Sequence, residues 1–106
     1  MAEEQPAHDG LVVLPFLDGA RAVVVVVAGE ADVATAPRLQ DQVVRSLGHR
    51  ARSLVLDLTD LAFCDQDGVD ALSRVVQVAE ERGVAVSVRG QSPHVAQLLR
   101  TGTHGR

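Results

Sequence analysis

Ser53–Leu72 reads SLVLDLTDLAFCDQDGVDAL, and the change of apolar period inside it decides the fold. Leu54, Val55 and Leu56 form a short apolar run that alternates out through Asp57 and Leu58, as a buried strand does. Thr59-Asp60 turns the chain, Leu61 and Phe63 anchor it, and it arrives at Asp65-Gln66-Asp67-Gly68. From Val69 onward the apolar positions recur with helical spacing. A buried strand therefore feeds a loop that ends at a helix N-terminus. In an α/β sheet that edge is where ligands and partners are met. A helix N-terminus carries unsatisfied N–H groups and a partial positive charge. It suits a phosphoryl group, and it also suits a carboxylate. This sequence supplies the carboxylate.

Upstream, Leu11–Leu17 is expected as a first strand and Arg21–Ala28 as a second, joined by the hairpin signal Asp18-Gly19. The five valines Val23 to Val27 predict burial on both faces of the second strand. After Gly29-Glu30-Ala31-Asp32, Thr35 and Pro37 open a helix with Thr35 as its cap. Leu39, Val43 and Leu47 form its buried stripe, and Gly48 ends it. Ser53–Leu58 is the third strand. Asp67–Arg82 is the second helix, with Val69, Leu72, Val76 and Ala79 on one face, and Val84–Val88 is the fourth strand. Ser92-Pro93 opens a last helix with Val95, Leu98 and Leu99 facing inward. The order is β-β-α-β-α-β-α. Strands two to four are linked through helices, so they should be parallel with right-handed crossovers, and the first strand adds an antiparallel partner. The expected architecture is an α/β four-stranded mixed sheet with helices packed mainly on one face. Residues 1–9 are expected as a flexible tail and 10–106 as a single domain.

The bulk numbers narrow the function. With 46% hydrophobic but only 2% aromatic residues, the core must be built from Val, Leu and Ala. A net charge of -4 argues against nucleic acid as a partner, because a phosphate backbone demands a clustered positive surface. The ten basic residues are all Arg, form no block in the sequence, and are expected as solvated faces. The acidic N-terminus has no apolar signal region. The longest apolar run, Ala22–Ala28, is too short for a membrane span. A cytoplasmic location without membrane contact is the expectation.

No catalytic constellation stands out. His8, His49, His94 and His104 have no metal-site spacing. There is no Gly-rich phosphate loop and no nucleophile motif, so no cofactor and no enzymatic activity are expected. Cys64 is either a small buried hydrophobe or a thiol tuned by the helix terminus. Asp57, Asp60, Asp65, Asp67 and Asp70 are close enough in sequence to hold a cation, but capping and turn chemistry is the simpler reading, with no metal.

Two motifs in this order resemble a STAS domain of the bacterial anti-sigma factor antagonist type. Gly29-Glu30-Ala31-Asp32-Val33-Ala34-Thr35-Ala36-Pro37 is similar to that family's G-E-h-D followed by a helix. Leu54–Leu58 running into Phe63-Cys64-Asp65-Gln66-Asp67-Gly68-Val69 is similar to its strand followed by F-h-D-S-S-G-L. Leu98-Leu99-Arg100-Thr101-Gly102 is similar to its last helix, so the resemblance spans about residues 10 to 102.

The resemblance implies a transcription regulator that works by partner switching through protein–protein interaction. In such proteins the second serine of D-S-S-G is phosphorylated by the partner, an anti-sigma factor that is also a serine kinase, and phosphorylation breaks the complex. Here Gln66 and Asp67 occupy the two serine positions, so the switch position has no hydroxyl and carries a phosphomimetic carboxylate. The implied partner surface is Asp32, Asp65, Gln66, Asp67, Gly68 and Val69. On this reading Gly68 gives the partner's backbone room to approach. Asp32 is set near Asp67, so that the two carboxylates face each other. Thr35, Thr59 and Ser73 stand as alternative phosphoacceptors, or as ordinary cap, turn and helix-surface residues. The short end after Gly102 leaves an edge open to self-association as a homodimer. Asp67 either locks the protein off or keeps it binding permanently, and the second outcome is favoured. The alternative is a non-catalytic STAS scaffold, or an accessory subunit of a larger signalling or transport assembly.

Overall fold

Alternating valines and leucines build the sheet. The computed structural model describes residues 10–90. β1 (Leu11–Leu17) and β2 (Ala22–Ala31) pair antiparallel, with Leu17 opposite Val23. The turn between them is longer than a two-residue hairpin. It takes in Asp18 to Arg21, with the Asp18 N–H donating to the Ala22 carbonyl at 2.8 Å and Gly19 at φ 89°. α1 (Ala36–Leu47) follows, then β3 (Ser53–Asp57), β4 (Leu61–Cys64), α2 (Gln66–Glu81) and β5 (Ala85–Arg89). β2, β3 and β5 run parallel, in the sheet order β1-β2-β3-β5. The helix expected from Ser92-Pro93 and the tail over residues 1–9 lie outside the described residues.

β4 is the strand the sequence pattern did not announce, and it raises the count from four to five. At four residues it is too short to show a period. It exists because β3 pairs only with Ala22–Val26, which leaves the far end of β2 open. Asp57 Oδ1 accepts from the Thr59 N–H at 3.0 Å and from its hydroxyl at 2.6 Å, so the chain turns. It then returns to β2, pairing Leu61 with Gly29, Phe63 with Glu30 and Cys64 with Ala31. The register shifts between Gly29 and Glu30, so two residues of β4 oppose one of β2.

One face of the sheet makes the core. Val23, Val25, Val27, Leu54 and Leu56 are buried on it, under Leu39, Val43 and Leu47 of α1 and Val69, Leu72, Val75 and Ala79 of α2. The helices thus lie on one side, and the valine run is fully buried on that side only. Val24 and Val26 are half-buried, and on the same outer face Val12, Leu14 and Phe16 stand 44%, 45% and 53% exposed. No helix among the described residues covers that face.

Candidate functional site

The site is built where β2 and β4 end. Their last residues, Ala31 and Cys64, pair side by side, and each leads into a helix. The Asp65 N–H donates to the Ala31 carbonyl at 3.1 Å, tying the start of α2 to the end of β2. Gly68 makes the fit possible. A Cβ there would lie 2.5 Å from the Ala31 carbonyl oxygen, 2.8 Å from the Ala31 Cβ and 2.9 Å from Cys64 Sγ. The room that glycine provides is thus taken up inside the protein, because Gly68 is buried against its own β2 and not open to a partner. Val69 is likewise a core residue, 2% exposed, and drops out as a contact surface.

Asp65, not Asp67, caps α2. Its extended backbone and its Oδ1, which accepts from the Gly68 N–H at 3.0 Å, make it the N-cap. Asp67 sits in the first turn, exposed, where a negative charge meets the positive end of the helix. Gln66 beside it is also exposed and donates from Nε2 to Asp70 Oδ1 at 2.9 Å.

Asp32 shapes its own loop. Its Oδ1 accepts from the N–H groups of Ala34 at 3.0 Å and Thr35 at 3.1 Å. Thr35 stands at the N-cap of α1, but its hydroxyl does no capping. It donates to the Glu30 carbonyl at 2.9 Å, accepts from the Asp32 N–H at 2.9 Å, and is fully buried. Two backbone amides therefore donate to the Asp32 carboxylate and hold its loop in shape. Thr35 has no accessible hydroxyl. The hydroxyl of Ser73 is buried within α2 without a hydrogen-bond partner. Thr59 is exposed, its hydroxyl bonded to Asp57.

Two apolar side chains join this edge that the sequence did not single out for it. Val33 is 69% exposed just after Asp32, and Phe63 is 49% exposed just before Cys64. The sequence pattern pairs Phe63 with Leu61 as anchors of this turn. The bulge in β4 reverses its side, so Leu61 and Cys64 pack against the core and Phe63 turns out. That bulge is set by the pairing with β2 and has no local sequence mark.

Burial, and secondarily the Asp65 charge, pushes the Cys64 thiol from 9.0 up to about 11, so it is not an activated nucleophile. Three of the five clustered acidic residues have separate partners: Asp57 bonds to Thr59 and to Arg89 Nε at 3.3 Å, Asp65 caps, and Asp70 accepts from Gln66. No group of three metal-ligating side chains is gathered among the described residues. No helix among them is long and apolar enough to cross a membrane.

The family model described as "Mlab, STAS domain" matches residues 18–103. No curated protein matches the chain. Among solved structures it is similar to an anti-sigma factor antagonist from Mycobacterium paratuberculosis, at 29% identity over 90% of this chain and 85% of that one, with a TM-score of 0.67. It is similar in fold to an antisigma-factor antagonist STAS domain from Rhodobacter sphaeroides, at 21% identity, with coverage of 76% and 86% and a TM-score of 0.67. The Bacillus cell fate determinant SpoIIAA in its phosphorylated form shares the fold at 15% identity, with coverage of 89% and 86% and a TM-score of 0.71.

Proposed function

The chain belongs to the STAS domain family, and from that premise we propose that it is an anti-sigma factor antagonist that binds an anti-sigma factor/serine kinase without being switched by phosphorylation at the usual site. It acts as a non-catalytic binding module in the cytoplasm. The observation that carries this reading is the exposed Asp67 in the first turn of α2, beside exposed Gln66 and on the sheet edge that also bears exposed Val33 and Phe63. A protein–protein docking site needs apolar anchors within a polar setting. The 29% identical antagonist from Mycobacterium paratuberculosis supports the class of function.

Asp67 carries a single charge, where a phosphoserine would carry about −1.5 to −2. It can pair with an Arg or Lys of the partner through one charge-assisted contact. The partner surface reduces to Asp32, Asp65, Gln66 and Asp67 with Val33 and Phe63, while Gly68 and Val69 support it from beneath. Asp65 and Asp32 act mainly by holding the two loops in shape.

The test is binding of the wild type and of Asp67→Ser to anti-sigma kinases of the same genome, with and without ATP. Wild-type binding that ignores ATP, together with ATP-dependent release of the serine variant, supports a permanently active antagonist. Binding by the serine variant alone means that Asp67 holds the protein off. If neither variant binds any of the kinases, the antagonist reading fails.

A further inference from the structure

The opposite edge of the sheet gathers positive charge. Arg21 immediately precedes β2, Arg52 immediately precedes β3, and Arg82 lies two residues before Val84 on the approach to β5. The backbone stitches these starts together: the Arg52 N–H donates to the Arg21 carbonyl at 2.8 Å, and the Ala85 N–H donates to the Arg52 carbonyl at 2.9 Å. Neighbouring strands run about 4.8 Å apart, so Arg21 and Arg52 enter one short row, and Arg82, at the C-cap of α2, lines the same hollow. Arg50 joins from the loop after α1. The result is a concavity of about 410 Å³ lined by Arg21, His49, Arg50, Arg52 and Arg82, with Ala51 and Gly83. Four of the chain's ten arginines thus share one small hollow in a protein of net charge -4. All four are exposed, as expected of solvated arginines, but the tertiary structure adds that separate stretches meet on one surface through the parallel pairing.

Three observations make this hollow a site. Its lining contains no acidic side chain. Among the described residues none of the four guanidinium groups has a hydrogen-bond or ion-pair partner, whereas Arg45 and Arg89 are paired with Asp41 and Asp57. The C-termini of α1 and α2 open nearby, but each contributes only about −0.5 charge. Together they offset roughly one of four positive charges, and the surplus remains.

We propose that this pocket binds a soluble ligand bearing two or more adjacent phosphate groups. Guanidinium forks match phosphate oxygens in bidentate pairs, and several converging on one hollow favour a multiply charged anion over a single one. The volume falls within the range of small-molecule sites. No Phe, Tyr or Trp lines it and His49 supplies its one aromatic ring, so the phosphate chain, met by four guanidinium groups, is read ahead of any attached base. Ala51 is its one sizeable apolar contact, too little to anchor an acidic peptide. The site lies at the start of the parallel strands, away from Asp67 at their far end, and stands whether or not the antagonist reading holds.

The experiment titrates the full chain with sodium tripolyphosphate by calorimetry and by two-dimensional amide and arginine side-chain NMR. ATP and inorganic phosphate are compared at matched ionic strength. Expected are saturable tripolyphosphate binding, ATP within a fewfold of it, far weaker inorganic phosphate, and shifts confined to Arg21, His49–Arg52 and Arg82–Gly83. Arg52→Gln and Arg82→Gln should each weaken binding about tenfold to a hundredfold, the worth of a charge-assisted contact. Arg74→Gln, an exposed arginine outside the hollow, should leave it unchanged. All three variants should keep the wild-type melting midpoint. Equal loss in all three, shifts scattered over the surface, or no saturation overturns the proposal. So does retention on phosphatidylcholine vesicles doped with phosphatidylinositol bisphosphate when free tripolyphosphate does not bind.

Discussion

Gly68→Ala should destabilise this protein, although alanine is the better helix former. The added Cβ would sit 2.5 Å from the Ala31 carbonyl oxygen, 2.8 Å from the Ala31 Cβ and 2.9 Å from Cys64 Sγ. None of these contacts yields cheaply. Ala31 is fully buried, and its carbonyl accepts the Asp65 N–H at 3.1 Å. Relief requires moving the first turn of α2 off the end of β2. Overpacking of this kind costs about 1–3 kcal/mol, and weakening the Asp65–Ala31 hydrogen bond adds about 1 kcal/mol. Against this stands a gain of about 1 kcal/mol from replacing a helical glycine, and less in a first turn. The net expectation is a loss of about 1–3 kcal/mol. For a domain of this size each kcal/mol lowers the melting midpoint by roughly 4–8 °C. Urea and thermal unfolding followed by circular dichroism would measure it. Gly83→Ala is the comparison, because a Cβ there meets nothing within 4 Å and the cost is only that of the positive φ of 79°. A Gly68→Ala midpoint equal to or above wild type would refute the packing argument. The same displacement shifts the Asp67 turn relative to the Asp32 loop, so partner binding should weaken in the variant even where it remains folded.

Asp65→Ala should cost about 1 kcal/mol through loss of the cap, whereas Asp67→Ala should cost no more than about 0.3–1 kcal/mol; urea midpoints of the two variants decide which residue holds the helix start. Thr35→Val should cost about 1–3 kcal/mol, because the Glu30 carbonyl and the Asp32 N–H both lose a buried partner; an unchanged midpoint would contradict the hydrogen bonds assigned here. Cys64, its thiol pushed up to about 11, should react slowly with iodoacetamide at pH 8 in the folded protein and rapidly in urea. Because the folded value lies above the unfolded one, its contribution to stability is present at neutral pH and is lost as the pH rises between 9.0 and about 11. Asp57 behaves in the opposite sense. Hydrogen bonds from Thr59, and then the Arg89 guanidinium, hold its carboxyl below the ordinary 3.8, so its contribution is present above that value and is lost as the pH falls below it, through the lowered folded value. Asp57→Asn should flatten this part of the acid-unfolding curve.

What could be read in the chain is what depends on neighbours in sequence. The alternation through Leu54–Leu58, the helical spacing from Val69 and the stripe Leu39, Val43, Leu47 each report a local period, and the parallel order of β2, β3 and β5 follows from the helices between them. The carboxylate at position 67, in place of a hydroxyl, is likewise a property of the sequence alone. Tertiary structure decided whatever depends on distant residues meeting. β4 forms only because β3 leaves the end of β2 unpaired, and the bulge created there turns Phe63 outward. Gly68 is enclosed because the end of β2 lies against the first turn of α2, which its neighbours in sequence do not reveal. The four arginines come from three separate stretches, Arg21, Arg50–Arg52 and Arg82, and share a hollow because parallel pairing brings these stretches to one edge. Local periodicity specifies elements through short-range sterics and burial, whereas the surface that can meet another molecule is made by register and packing between segments far apart in the chain.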